Sequence, residues 1–316
     1  MKTLSQSKHI AVVGADSMGH GLAQLFAAKG HEVTLFDRNE TILKEAIARI
    51  ESNLAFLSNN GLAPGQDVHS AIERIKLSTD LEETVSDARF VLESVEENLR
   101  IKRSLFREME RYCSPVAVLA TNTPTLGIEE IAAGMKVKER VVGTHFWPPP
   151  YLIPLVEVMG SRDTLPEVTD FVCNLLLSMD LHPVLINKDA PGFIGHRLKE
   201  ALRREALSIV EQGLVDPAAV VEVIQAGLGI HLSALCLLDD AGMADFGLMD
   251  RHHDVAKNAF SSSSYLQKTG DADEVRAPNE QGCNLRDRAS IARGRVEIVR
   301  KLINWNRQEY RPPHRK

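Results

Sequence analysis

Cysteine is scarce and scattered. The 316 residues hold four, Cys113, Cys173, Cys236 and Cys283, with no C-x-x-C pair and no histidines at zinc-finger spacing. That excludes a disulfide framework and a structural zinc site and reads as the reduced thiols of a cytoplasmic protein. A basic excess is missing as well. Lys and Arg number 37 against 43 Asp and Glu, for a formal net charge of -6, so no broad positive field exists to draw nucleic acid or an anionic membrane. No apolar run reaches membrane-spanning length, and MKTLSQSKHIAVVG enters a strand by His9 without a charged segment followed by a long apolar one. Neither a secretory signal nor a membrane anchor is expected. These exclusions leave a small molecule as the partner.

What is present is an ordinary hydrophobic share, 44%, in a chain long enough for two domains. Short β-branched runs recur at His9 to Val13, Glu32 to Phe36, Arg74 to Thr79, Arg89 to Val95, Val116 to Thr121 and Arg140 to Phe146. Amphipathic stretches such as Thr41 to Leu57 and Leu99 to Tyr112 lie between them, the βαβ pattern of a parallel sheet. Two more strands, Leu152 to Met159 and His182 to Asn187, flank a helix over Leu165 to Met179. From Pro191 the apolar period is helical, in FIGHRLKEALRREALSIVEQG and again in ASIARGRVEIVRKLINW. The predicted architecture is α/β: a Rossmann-type doubly wound sheet domain over 1–187, then an all-helical domain over 188–316. Ser261 to Ser264 and Gly270 to Gly282 read as loops, and RPPHRK as a frayed tail. Adjacent His252 and His253 diverge by about 100° on a helix and so cannot share one ion; no metal is expected.

The stretch VVGADSMGHG carries the first chemical signal. Where a dinucleotide fold reads G-x-G-x-x-G, this chain has Gly14, Ala15, Asp16, Ser17, Met18 and Gly19. A strand precedes it, a helix follows, and Asp37 ends the second strand, placed to take both adenosine ribose hydroxyls. That favours NAD over NADP, with Arg38 beside it offsetting part of the preference. Asp16 is the difficulty, since the middle glycine normally lets the backbone approach the diphosphate. Repulsion is the simple expectation. The alternative is a carboxylate turned away to cap the following helix, which keeps the turn and pushes the diphosphate outward.

The second signal is a histidine and a glutamate. His145 ends one strand and Glu157 lies in the next, equally spaced about Tyr151, so antiparallel pairing sets them opposite each other on one face. A carboxylate on one imidazole nitrogen fixes the tautomer and leaves the other nitrogen to take a proton. A satisfied core pair is the bland alternative. Trp147 reads as a core or a substrate-facing aromatic.

Taken together these stretches resemble the 3-hydroxyacyl-CoA dehydrogenase family, and the likeness covers almost the whole chain. GADSMGHGLA is similar to its turn G-x-G-x-M-G-x-G-I-A. ESVEENLRIK resembles its segment with a glutamate and a lysine near the nicotinamide ribose, which implies that Glu97 and Lys102 contact cofactor. GTHFWPPPYLIPLVEV resembles the segment with the catalytic histidine and its partner, here His145 and Glu157. KDAPGFIGHRL resembles the hinge that opens the helical domain, and the family's helical domain implies a homodimer. The cofactor-facing set so implied is Gly14, Asp16, Ser17, Met18, Gly19, Asp37, Arg38, Glu97, Lys102 and Asn122, with NAD as the cofactor.

Three polar helpers of the family are replaced: its serine falls on Pro124, one asparagine on Pro148 and another on His196. A proline side chain donates no hydrogen bond, so Thr125 and His196 become the remaining candidates beside the dyad. The family's lysine-rich helix end is absent, because Glu51 to His69 contains no lysine or arginine, which disfavours a CoA ester. The wording is closer to relatives acting on small hydroxy acids or alcohols, such as carnitine, gulonate and pyridoxine-breakdown dehydrogenases. A carboxylate-bearing substrate would find His196, Arg197, Arg203 and Arg204 along the next helix. The expected function is NAD-dependent interconversion of a secondary alcohol and a ketone on a small hydroxy acid. The rivals are a non-redox lyase or isomerase using the dyad, and a catalytically silent binding protein.

Overall fold

The computed structural model describes residues 9–62 and 68–229. All eight predicted strands form: β1 (His9–Val13), β2 (Glu32–Phe36), β3 (Ile75–Ser78), β4 (Phe90–Glu93), β5 (Val118–Thr121), β6 (Val141–Phe146), β7 (Leu155–Gly160) and β8 (His182–Ile186). They make one sheet in the order β3-β2-β1-β4-β5-β6-β7-β8. The first six run parallel, β7 turns antiparallel to β6, and β8 runs parallel to β7. The order reverses between β1 and β4, and the crevice beyond the carboxyl ends of strands at such a switch point is where open α/β sheets bind ligands.

Helices cover both faces. α1 (Gly19–Ala28), α2 (Glu40–Asn59), α3 (Val68–Glu73), α4 (Leu81–Val85), α5 (Leu99–Tyr112), α6 (Ile128–Ile131) and α7 (Pro166–Ser178) connect the strands, and α8 (Gly195–Glu211) and α9 (Pro217–Glu222) follow. β1, β4, β5 and β6 are buried along nearly their whole length because helices lie on both sides of them. One core layer gathers Leu22, Phe26, Ile50, Phe90 and Phe146; the other gathers Val13, Phe106, Met109, Ile128 and Phe193. The long helices start where the sequence supplies caps. Asn39 accepts from Thr41 N at 2.9 Å ahead of α2, and Asn98 accepts from Arg100 N at 3.0 Å ahead of α5.

Local chemistry shortens two strands. β5 begins at Val118 rather than Val116, because Ala117 N closes a turn onto Ser114 O. β7 begins at Leu155 rather than Leu152, because Leu152 N and Ile153 N both donate to Pro149 O and Pro154 has no N–H to offer. The short helices α3, α4 and α6 hold too few residues to display a helical period in sequence; α4 shows itself only through Asp80, which caps Glu83 N at 3.0 Å.

The described residues to Leu198 belong to one compact unit and those from Lys199 to a second. In the second, Leu202 and Ile209 of α8, Val220 of α9 and Ile224 of the following π turn line an apolar cleft of about 210 Å³. The helix expected over 289–305, the loops over 261–264 and 270–282, the tail over 311–316, His252, His253, Cys236 and Cys283 lie outside the described residues. No described helix is long and apolar enough to cross a membrane.

Candidate active site

The turn after β1 keeps the geometry that its two retained glycines allow. Gly14 has φ +102 and packs so closely on the loop after β4 that a Cβ would meet Ser94 O at 2.6 Å, while a Cβ on Gly19 would meet Gly14 O at 1.7 Å. The first permits the tight turn, and the second lets α1 start directly against it. Asp37, at the end of β2, reaches back with Oδ2 accepting from Ala15 N at 3.1 Å and Oδ1 accepting from Asn39 N at 2.9 Å. Each carboxylate oxygen retains a further acceptor site for a ribose hydroxyl.

Asp16 does not cap α1, which corrects the alternative raised by the sequence. The helix is preceded by Met18 with no side-chain cap, and its first turn carries no acidic residue. The Asp16 carboxylate, with 72% of its side chain exposed, instead swings outward to Arg49 of α2, Oδ1 to Nη1 3.4 Å. The free N–H end of α1 therefore stays open, and it is the place where a diphosphate binds in this fold. Glycine cradle, uncapped helix end and ribose-facing carboxylate together fit a dinucleotide. Arg38 points elsewhere, to Glu108 at 3.2 Å. Ser17 is exposed and Met18 half-buried in the turn.

Beyond β4 lies a polar network that the sequence reading caught only in part. Lys102 and Glu97 are within 3.5 Å of each other, but the closer partner of Lys102 is Glu93, Nζ to Oε1 2.7 Å, with side chains 1% and 0% exposed. Glu93 also accepts from Thr121 Oγ1 at 2.6 Å and from Val95 N at 2.7 Å. With so many donors on one carboxylate the pair makes a rigid floor. The missed signal was the acidic residue ending β4, three positions before EEN. Glu97 accepts from the hydroxyls of Thr123 and Thr125, the latter at 2.6 Å, so the Thr125 hydroxyl is donated to a carboxylate. Asn122, buried at the end of β5, accepts from Phe146 N at 2.9 Å and fixes the backbone beside His145.

The dyad forms across β6 and β7, where His145 and Glu157 are direct register partners. His145 Nδ1 lies 2.8 Å from Glu157 Oε2, with His145 8% and Glu157 2% exposed. An ionised carboxylate only accepts, so the proton of the pair sits on Nδ1 and Nε2 has the free lone pair. Glu157 is held from three more sides: Oε1 accepts from Ile194 N at 2.8 Å and Gly195 N at 2.9 Å, and Oε2 from Trp147 Nε1 at 3.3 Å. Burial alone raises its pKa, but the bonds from His145, Gly195 and Ile194 outweigh it and hold the carboxyl below its usual range. Phe193, in the left-handed region at φ 46, turns its ring onto His145 with centroids 5.5 Å apart. Of the three helper positions implied by the resemblance, Pro124 and Pro148 lie in the loops after β5 and β6, and His196 is the half-buried second residue of α8. A separate cleft of about 200 Å³, bordered by Lys29, Tyr151 and Asp180, has neither dyad residue in its wall.

A doubly wound sheet with a glycine turn at its switch point and a buried His–Glu pair on its later strands defines a dinucleotide-dependent dehydrogenase. The chain belongs to the 3-hydroxyacyl-CoA dehydrogenase family: the NAD binding domain of that family matches residues 9–190 and its C-terminal domain residues 192–284. It is 32% identical over 240 residues to 5-formyl-3-hydroxy-2-methylpyridine 4-carboxylate 5-dehydrogenase of Mesorhizobium japonicum, covering 75% of this chain and 76% of that one. It is 34% identical over 245 residues to the mitochondrial hydroxyacyl-coenzyme A dehydrogenase of Sus scrofa, covering 75% and 76%. To L-carnitine dehydrogenase of Burkholderia mallei it is 32% identical over 233 residues, covering 74% and 71%. A crystal structure of the pyridine-carboxylate 5-dehydrogenase, described as an NAD+ dependent dismutase, superposes with a TM-score of 0.75 at 26% identity and covers 93% of this chain and 98% of that one. The protein is an NAD-dependent dehydrogenase.

Proposed function

We propose that this dehydrogenase interconverts a secondary alcohol and a ketone on a small hydroxy acid, and that a CoA thioester is not its substrate. The observation that carries the chemistry is the 2.8 Å bond from His145 Nδ1 to Glu157. NAD, when bound, accepts the hydride leaving the alcohol carbon. His145 Nε2 takes the hydroxyl proton as that hydride departs, and the charge gained by the imidazole is balanced by Glu157 at its other nitrogen. In the reducing direction Nε2 returns the proton to the ketone oxygen.

Two features support the substrate class. The end of α2 and the residues after it, Glu51 to His69, carry no lysine or arginine to meet the phosphates of CoA. His196 stands where the family has an asparagine, and an imidazole there can donate to, or as a cation pair with, a substrate carboxylate. Two relatives with substrates of this kind are the pyridine-carboxylate and carnitine dehydrogenases. On the same reading Gly14, Gly19 and Asp37 hold the adenosine and diphosphate, Glu97, Lys102 and Asn122 border the nicotinamide ribose, and Ser17, Met18 and Arg38 flank the turn. The helical domain from residue 188 serves substrate binding and dimerisation, and the enzyme works in the cytoplasm, as its few, widely separated cysteines suggest.

The test is fluorescence titration with NADH and NADPH, followed by nicotinamide absorbance with a panel of free hydroxy acids and with 3-hydroxyacyl-CoA. NADH is expected to bind more tightly than NADPH, and a free acid to give the highest kcat/KM. A higher kcat/KM for the thioester overturns the substrate class. Turnover of a hydroxy acid with unchanged nicotinamide absorbance overturns the redox reading.

A further inference from the structure

We infer that Arg49 is a cofactor-binding residue whose task is to neutralise Asp16, making a phosphate turn without its middle glycine usable by a dinucleotide. The inference rests on the NAD-dependent reading above and adds a residue to it. Asp16 occupies the position nearest the incoming diphosphate, and an uncompensated carboxylate there meets two phosphate charges of its own sign. The geometry shows how that conflict is relieved. Arg49 projects from the third turn of α2, its Nη2 braced on Glu45 one turn earlier at 3.0 Å, and its Nη1 3.4 Å from Asp16 Oδ1. The carboxylate is drawn to the outer side of the turn, and a guanidinium stands beside the seat. With 38% of the Arg49 side chain exposed, the group is reachable by solvent and by a bound anion.

Among the described residues, two other basic groups close to this place do not fill the role. His20, in the first turn of α1, has its Nδ1 2.8 Å from Asp16 O, and burial pushes its imidazole below the ordinary value, so it is neutral at pH 7 and adds no charge. Arg38 is engaged with Glu108. Arg49 therefore carries the compensation, and Arg49 and Asp16 form a unit: the arginine matters because the aspartate is there. The α1–α2 contact that presents it is fixed independently by Asn53 Nδ2 donating to Gln24 Oε1 at 3.1 Å in the buried seam, so removing the guanidinium leaves the helix in place.

The magnitude follows from charge and distance. Two unit charges about 4 Å apart interact weakly in water and several times more strongly at the effective dielectric of a protein surface. At physiological salt the exposed pair lies toward the weaker limit. Loss of Arg49 with Asp16 present is expected to weaken NADH binding about tenfold, which is about 1.4 kcal/mol.

The experiment is a double-mutant cycle read by NADH fluorescence titration on the full chain: parent, Arg49→Ala, Asp16→Gly and the double variant, each at low and at high salt. Thermal melts confirm that each variant folds, and Arg49→Lys tests whether charge alone suffices. The expected pattern is a roughly tenfold loss for Arg49→Ala, less than a twofold effect of the same change on the Asp16→Gly background, a smaller loss at high salt, and most of the affinity kept by Arg49→Lys. An Arg49→Ala affinity equal to the parent's overturns the inference, and so does an equal loss on both backgrounds, since the arginine would then act without reference to Asp16. If none of the four proteins binds NADH, the cofactor reading fails and takes the inference with it. If the parent binds and the cycle shows no coupling, only the inference fails.

Discussion

Replacing Glu157 by glutamine is the sharpest perturbation of the proposed chemistry, because it alters one atom and preserves shape. Glu157 Oε1 accepts from Ile194 N and Gly195 N, and Oε2 accepts from His145 Nδ1 and Trp147 Nε1. A glutamine must keep its oxygen toward the two backbone N–H groups, since an NH2 there would face two donors. Its nitrogen then faces His145 and donates to Nδ1, which forces the imidazole proton onto Nε2. The nitrogen that should take the alcohol proton is then occupied by one. An inverted tautomer in a comparable His–carboxylate pair lowers kcat by about 10⁴, and general-base catalysis is worth about 10² to 10⁴; we expect a fall of about 10³ in kcat. NADH binding should change less than twofold, because the dyad lies away from the glycine turn. Converting charge-assisted bonds of about 1.5–3 kcal/mol into neutral ones of about 1 kcal/mol should lower stability by about 1–3 kcal/mol. The pH dependence has a defined sign. The folded-state pKa of Glu157 lies below its ordinary value, so its stabilisation is complete above the unfolded value of about 4.3 and is lost as pH falls through the folded one. Glutamine removes that acid-side loss. The assay is steady-state nicotinamide absorbance with the best hydroxy acid, beside NADH titration and thermal melts from about pH 3 to about pH 7, which spans the carboxylate range. A variant that binds NADH and keeps kcat within about threefold of the parent would show that His145 is not the base.

Two further outcomes follow from buried groups. Lys102→Met leaves Glu93, 0% exposed, stripped of its cation, so unfolding free energy should drop by about 3–5 kcal/mol, read by denaturant titration; a loss under about 1 kcal/mol contradicts the buried ion pair. Cys113 is buried and its thiol is pushed up to about 12 by that burial, so a thiol reagent at pH 8 should leave it unmodified in the folded protein and label it in denaturant, as mapped by peptide mass spectrometry.

The sheet was legible because every strand is a β-branched run bounded by turn chemistry, and the His145–Glu157 register because the spacing about Tyr151 determines which residues face across an antiparallel pair. The strand ends that moved were set by backbone hydrogen bonds near proline, at Ala117 and at Leu152 and Ile153, which residue patterns do not encode. Glu93 and Arg49 escaped for a different reason. Their partners lie 9 and 33 positions away in sequence, and each reads locally as something ordinary, a strand-end acid in a run of glutamates and an i,i+4 helix pair with Glu45. Only the fold brings Arg49 to the turn after β1. The sequence offered Asp16 as a charge repelling the diphosphate or as a cap on α1, and its actual partner was out of reach, because a free helix end is a local feature and a guanidinium on another helix is not.

Glu157 also ties the dyad to the altered helper position. One of its oxygens orients the base on β6; the other grips the backbone N–H groups of Ile194 and Gly195, which open α8. His196 is the next residue, so its backbone is positioned by the same carboxylate that orients His145. An exchange of asparagine for histidine at 196 therefore acts on a fixed backbone and changes only the side chain: an amide with both donor and acceptor becomes a ring that, once protonated, is a cation. On the proposed function the prolines at 124 and 148 leave the substrate oxygen without two side-chain donors, so His145 Nε2–H gains relative weight in holding the ketone. A substrate held strongly at its own carboxylate depends least on those lost donors, because binding energy at a remote charge can orient the reacting carbon. On the proposed function these substitutions suit a small anionic hydroxy acid, and replacement of His196 by asparagine should raise KM for such an acid more than it changes kcat.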